Sequence, residues 1–148
     1  MPLTASVDPD TRNDANITES NKVIANGAVL YYGALVGVDA NNQLVNCADS
    51  TVIRFEGMFK PKPIEYSSFP VTGDGTKRGR CVSNFEVLLP AAGTVDAADM
   101  QKEAYAADEA SVTDVTTLGP QCGVFIEMGT AANTCWVGLG RAFMKLGT

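Results

Sequence analysis

Few side chains in this chain are able to do chemistry, and the commonest of them is missing. There is no histidine, which removes the usual general base, the commonest metal ligand and every Ser–His or Cys–His triad. The four cysteines, Cys47, Cys81, Cys122 and Cys135, match no zinc spacing, and no histidine completes one. Cys81, Cys122 and Cys135 fall on the apolar parity of their segments, which reads them as buried thiols acting as small hydrophobes. Whether any two of them pair is left open by the sequence. The stretch Gly73-Asp74-Gly75-Thr76-Lys77-Arg78-Gly79 holds glycines and a lysine, but lacks the gap and the Gly-Lys-Ser/Thr ending of a phosphate loop. Gly138-Leu139-Gly140 lacks the third glycine of a dinucleotide site. The carboxylates sit mostly in turn-like positions such as Asp108-Glu109, not in the paired settings that tune an acid against a base. The expectation is no catalytic residue, no cofactor and no metal site.

What remains is contact material. The net charge of −6 argues against a nucleic-acid binder, which carries a basic excess. The charge is unevenly placed. Arg54, Lys60, Lys62, Lys77, Arg78 and Arg80 face only Glu56, Glu65 and Asp74 over 54–80, whereas over 86–127 the lone base Lys102 stands among Glu86, Asp96, Asp99, Glu103, Asp108, Glu109, Asp114 and Glu127. Such asymmetry suits docking onto a surface of mixed sign; the plainer reading is solvated loops. Lys60-Pro61-Lys62-Pro63 ends a strand, because proline lacks the ladder N–H, and opens a long excursion over 60–78. Long loops in compact domains are often functional. This one combines bases with Tyr66 and Phe69, and Lys60, Lys62, Tyr66, Phe69, Lys77, Arg78 and Arg80 are its candidate contact residues.

The elements that must position these residues are strands. Residues 1–22 are polar, with Pro2 and Pro9 opposing helix and Leu3, Val7 and Ile17 spaced like anchors. They read as an extended arm, or as a plain unfolded terminus. A burial argument favours the arm being mobile until a partner supplies backbone hydrogen bonds, such as the sheet edge of another subunit. Residues 23–148 form the domain. Ala28–Asp39 is apolar on both parities and reads as one long central strand, and Gln43–Asn46 returns from it. In Val52–Phe59, Ile53, Phe55 and Phe59 share a face opposite Arg54 and Glu56. Gly79–Leu89 is the clearest strand, and Thr94–Met100 suggests one helical turn capped by Thr94 or Asp96. Glu103–Ala106, Val112–Thr116, Cys122–Met128 and Cys135–Leu139 supply further short strands. The prediction is an all-β sandwich or barrel of short antiparallel strands, with at most one or two short helices. Trp136, Tyr31, Tyr32 and Phe125 read as core or subunit-contact aromatics.

No apolar run approaches the ~20 residues needed to span a bilayer, and the N-terminus lacks the basic start and apolar core of a secretory signal. The expected origin is a cytoplasm, with no membrane partner.

On particular residues the chain resembles the head-decoration, or capsid cement, proteins of tailed bacteriophages. The resemblance covers about 23–140. It lies in Gly27-Ala28-Val29 and Gly33-Ala34-Leu35-Val36, in Phe55-Glu56-Gly57, in Ala98-Asp99-Met100-Gln101-Lys102-Glu103-Ala104-Tyr105-Ala106-Ala107-Asp108-Glu109, in Ser111-Val112, and in Cys122-Gly123-Val124 with Cys135-Trp136-Val137. Lys60–Lys77 departs from the family in being longer, more basic and richer in proline. The resemblance implies a non-enzymatic β-protein on the outer surface of a phage head. It would bridge and stabilise major capsid protein subunits and act as a homo-oligomer, commonly a trimer, with an N-terminal arm. Leu3, Val7 and Ile17 would be the arm's contacts. Readings from other classes are a different β-rich virion or tail protein and a small-ligand or carbohydrate-binding β-sandwich.

Overall fold

The computed structural model describes residues 3–144. The chain runs through β1 (Thr11–Arg12), β2 (Thr18–Val23), β3 (Val29–Leu30), β4 (Leu35–Val38), β5 (Leu44–Asn46), β6 (Arg54–Phe59), β7 (Val71–Thr72), β8 (Arg78–Ser83) and β9 (Phe85–Pro90). A 3-10 turn at Ala97–Asp99 follows, then β10 (Glu103–Ala106), β11 (Val112–Thr113), β12 (Gln121–Met128), β13 (Thr134–Leu139) and the one-turn helix α1 (Arg141–Met144). The fold is all-β, as the period-two patterns predict.

The strands form a five-stranded sheet in the order β2-β8-β6-β4-β5, a six-stranded sheet in the order β1-β9-β13-β12-β10-β11, and the small pair β3-β7. All ladders are antiparallel. Each large sheet curls back on itself. Ile24, just past β2, bridges Leu44 of β5, and Ala91, just past β9, bridges Val112 of β11.

The run Gly79–Leu89, which reads as one strand, is two. Asn84 takes a positive φ of 65°, a conformation asparagine tolerates better than most side chains, and the chain passes there from the five-stranded sheet to the six-stranded one. The kink is held from several sides. Asn84 N donates to the Leu139 carbonyl at 2.7 Å, its Nδ2 donates to Thr18 Oγ1 at 2.7 Å, and its Oδ1 accepts from Ala142 N at 3.1 Å.

Two cores result. One, between the large sheets, contains Leu35, Phe55, Met58, Val82, Phe85, Val87, Phe125, Val137 and Leu139. The other, inside the curl of the five-stranded sheet, contains Ile24, Leu30, Val36, Val38, Leu44, Phe59, Val71 and Cys81. Neighbouring residues of one strand alternate between them: Leu35 with Val36, Met58 with Phe59, Val82 with Cys81. Both faces of this sheet are therefore covered, which is why its strands lack a clean apolar/polar alternation.

Two further expectations need correction. Ala28–Asp39 is two strands, because Tyr32-Gly33 turns the chain between β3 and β4. The shared face of Ile53, Phe55 and Phe59 is broken by a bulge between Val36 and Gly37. Ile53 lies before β6 and is 60% exposed, while adjacent Met58 and Phe59 are both buried. The helical turn is where the sequence places it. Asp96 caps it by accepting from Ala98 N, and Asp99 accepts from Asp96 N in return.

Candidate functional site

The contact residues singled out in sequence fall into two segments, 3–22 and 60–80, and the structure brings these segments against one another. Residues 3–22, expected as an extended arm, are extended, and the strand edges they use belong to the same chain. Thr18–Val23 pairs along its full length with Ser83–Arg78 of β8. Thr11 and Arg12 pair with Val87 and Glu86 of β9. Further along, Leu88 N donates to the Asp10 carbonyl at 2.9 Å and Val7 N donates to the Tyr32 carbonyl at 2.9 Å. The backbone partners were expected on the sheet edge of another subunit, but this chain has open edges of its own. β8 and β9 supply two.

The three apolar anchors differ in depth. Leu3 packs against the inner core, and its N–H donates to Glu109 Oε1 at 3.1 Å. Val7 and Ile17 remain 39% and 40% exposed. Val7 presses on Gly33, whose φ is +87°; a Cβ there would lie 2.1 Å from the Val7 carbonyl oxygen. Glycine at 33 thus serves both the turn and the seat of the N-terminal segment.

Arg12, which sequence reasoning did not single out, makes three side-chain contacts with the body. Its guanidinium lies 4.1 Å from the centre of the Trp136 ring, donates to Glu86 at 2.8 Å and also bonds Glu127. Asn13, at a positive φ of 52°, bonds the second oxygen of Glu86. Glu86 is only 8% exposed, and a buried carboxylate needs this pairing. The two carboxylates raise the Arg12 pKa, chiefly by accepting its hydrogen bonds, Glu127 first and then Glu86.

The basic stretch is largely occupied inside the chain. Lys60 pairs with Asp8 at 3.6 Å and lies 5.7 Å from the Phe85 ring centre. Arg80 donates to the Lys60 carbonyl at 2.8 Å and bonds Glu19. Arg78 reaches around the edge of β2 and donates through Nε to Asn21 Oδ1 and through Nη2 to the Asn21 carbonyl, both at 2.9 Å. This occupies an edge carbonyl that would otherwise be open to another strand. The aromatics are occupied too. Tyr66 Oη donates to the Arg78 carbonyl at 2.6 Å, and Phe69 stands edge-on between Tyr32 and Phe59, at 5.7 and 6.4 Å. Among the described residues, Lys62 and Lys77 are exposed and join no ion pair. The signal for these internal pairings was present in Asp8 and Glu19, two acids in an arm facing a basic loop.

No reactive cluster accompanies this surface. All four cysteines are buried and unpaired. Burial pushes the Cys122 thiol up to about 12 and the Cys135 thiol to about 11, and raises Cys47 and Cys81 as well, which suppresses the nucleophilic thiolate. Among the described residues no three His, Cys, Asp or Glu side chains are grouped to hold a metal ion, and no helix is long and apolar enough to cross a membrane.

No protein-family model and no curated protein matches the sequence. Among solved structures, a chain of "The capsid of Myoviridae Phage XM1" matches with a TM-score of 0.55 at 15% identity, over 95% of this chain and 94% of that one. At this identity the likeness is one of fold, and it extends over nearly the whole of both chains.

Proposed function

We propose that this chain is a non-enzymatic structural protein of a phage virion. It sits on the outer surface of the head as a cement that bridges and stabilises neighbouring major capsid protein subunits, and it does so as a homo-oligomer, most simply a trimer. The observation that carries this reading is the end-to-end fold likeness to a chain from a phage capsid structure. The chemistry of the surface supports it: buried thiols, carboxylates engaged in turns and ion pairs, and hollows open to solvent and lined mainly by polar side chains.

The physical logic follows from the fold. A cement protein gains little from one tight contact and much from many weak ones repeated on a symmetric lattice, where each further contact is effectively intramolecular. It must not itself yield, and the curled sheets with the laced N-terminal segment meet that need. Within the basic loop, Lys62 and Lys77 are left over for contacts outside the chain.

Sedimentation of purified protein with heads lacking it tests the reading. Saturable binding, one set of copies per lattice position in cryo-EM density, and heads that survive higher temperature are the expected results. Absence of binding to expanded and unexpanded heads alike would overturn it.

A further inference from the structure

We propose that a basic trough along β2, walled by Lys22, Arg54, Arg78 and Arg141, receives the carboxylate side chains of an extended acidic segment of the shell protein. This deepens the reading above and rests on it for the source of the segment. The site itself rests on residues of this chain alone.

The chain has five arginines and 17 acids, enough to pair every one of them. Arg12 and Arg80 do meet carboxylates. The other three meet only neutral groups or none. Arg54 Nη2 donates to Asn42 Oδ1 at 2.8 Å, and Arg78 donates to the side chain and carbonyl of Asn21. Arg141 joins no hydrogen bond or ion pair among the described residues. All three line two adjoining hollows. One, of about 270 Å³, has Lys22, Arg54, Glu56 and Arg141 in its lining, with the hydroxyls of Ser20 and Ser83. The other, of about 290 Å³, has Lys22, Arg78 and the side-chain amides of Asn41, Asn42 and Gln43. Lys22 belongs to both, and the Arg54–Asn42 bond ties one lining to the other. Four of the chain's 11 bases are thus gathered with one lining acid, Glu56, which Lys22 meets at 3.8 Å. Asp39, in the adjacent turn, is occupied by the N–H groups of Asn41 and Gln43. This excess stands in a protein whose net charge is −6. The hollow beside the turn at 62–66, whose tip Ile64 is 93% exposed, has no such excess, because Lys62 and Arg80 stand there with Glu19 and Glu65.

The chemistry of the lining selects the ligand. A guanidinium has five N–H donors and no acceptor. The bonds to Asn42 and Asn21 hold the forks of Arg54 and Arg78 in place and leave further donors unused. A fork held in this way matches a planar carboxylate through two parallel bonds. Each hollow has room for several water-sized groups, and the cations are spread over both, so the ligand carries its carboxylates along its length. The hydroxyls and amides among the cations both donate and accept. That suits the N–H and carbonyl groups of a peptide backbone, whereas a phosphate ion needs donors alone. Nucleic acid fits less well: four cations are few for so dense a row of charges, and the overall negative charge of the protein repels a polyanion before it reaches the trough. A short acidic segment meets the local excess within a Debye length.

The probe is a fluorescein-labelled octapeptide of alternating glutamate and serine, with the glutamine counterpart as control. Each is titrated with the full-length protein and read by fluorescence anisotropy. Saturable binding of the glutamate peptide that weakens as salt rises is expected, with none of the glutamine peptide. Arg141→Gln is expected to weaken binding about threefold to fivefold, and Arg54→Gln combined with Arg141→Gln about tenfold or more. Lys102→Gln, which removes a charge outside the trough, is expected to leave binding unchanged. Arg141 has no partner to lose, so its variant is expected to melt like wild type and decides the matter even if the double variant fails to fold. Three results overturn the proposal: no binding of the glutamate peptide, equal weakening by Lys102→Gln, or displacement of the peptide by inorganic phosphate or a single-stranded oligonucleotide at lower concentration than by unlabelled peptide. Cementing is read separately, by sedimentation with heads, where the double variant is expected to lose occupancy. A double variant that has lost the peptide and keeps full occupancy would overturn the shell protein as the source of the segment. Wild type that binds the peptide and no heads would uphold the site and overturn the cement reading.

Discussion

Residues 3–23 are fastened to the body largely by backbone ladders, whereas residues 60–70 are fastened mainly by side chains. The first segment contributes two strands, and the main-chain groups of Val7 and Asp10, ahead of β1, also find main-chain partners at Tyr32 and Leu88. The second lies between β6 and β7, and its one main-chain bond to the body runs from Lys60 N to the Arg80 carbonyl at 3.0 Å. It is held instead by Tyr66 on the Arg78 carbonyl, by Phe69 between two rings, and by Lys60 on Asp8. A backbone ladder needs an open edge and asks little of composition, so a polar segment poor in apolar residues is able to form one. Side-chain fastening acts at points and leaves the chain between them free to protrude, as Ile64 does.

The sharpest way to break the contrast is to remove the ladder. Deleting residues 1–23 strips β1 and the six-residue β2 and leaves the edge of β8 open. At about 0.5–1.5 kcal/mol net per ladder bond, the loss is on the order of 3–6 kcal/mol, a large part of a small domain's stability. Urea unfolding is expected to show a much lower midpoint, with aggregation through the bare edge. An unchanged midpoint would mean that the segment is an ornament on a self-sufficient body.

Next in size is Gly33→Ala. It places a Cβ 2.1 Å from the Val7 carbonyl at a φ of +87°. Strain of this kind costs about 1–3 kcal/mol. Amide exchange should speed up at Val7 and its neighbours first, while the β12–β13 ladder keeps its protection.

Tyr66→Phe probes the other mode of fastening. It removes a single partly exposed hydrogen bond, worth about 1 kcal/mol at most, and should loosen the 62–66 turn without affecting the N-terminal segment. If exchange rises in both segments, the two are not fastened independently.

Asp74 gives the smallest effect and the one with a pH signature. Its carboxyl is held at about 2, below the ordinary 3.8, first by the Thr76 hydroxyl and then by the N–H groups of Lys77 and Thr76. A carboxyl whose pKa is depressed by folding stabilises the protein above its unfolded value, and that stabilisation disappears as pH falls through the folded one. The gap in urea midpoint between wild type and Asp74→Ala should stay constant from about pH 7 to about pH 5 and close between about pH 4 and pH 2. A gap that does not change with pH would show that the turn is held by its backbone alone.

The sequence by itself determined what depends on near neighbours. The parity of β13, the burial of the thiols, the cap at Asp96 and the turn chemistry at Asp74 all follow from residues a few positions apart, because alternation and capping are local physics, whereas a bulge between Phe125 and Glu127 breaks the parity of β12 and leaves Met128 39% exposed. Tertiary structure decided whatever depends on which edge is open and which charge is near. The passage between sheets at Asn84 is hidden in a run of good strand formers, since a single asparagine at positive φ leaves no trace in alternation. The two-sided burial of β4 and β6 comes from a sheet curled around a second core, and it erased the face assignment around Ile53. The basic loop was legible as a charge excess, but its partners were not. Asp8, Glu19 and Asn21 are 52, 61 and 57 positions from the Lys60, Arg80 and Arg78 they meet, and only the β2–β8 ladder and the path of the N-terminal segment bring them within reach.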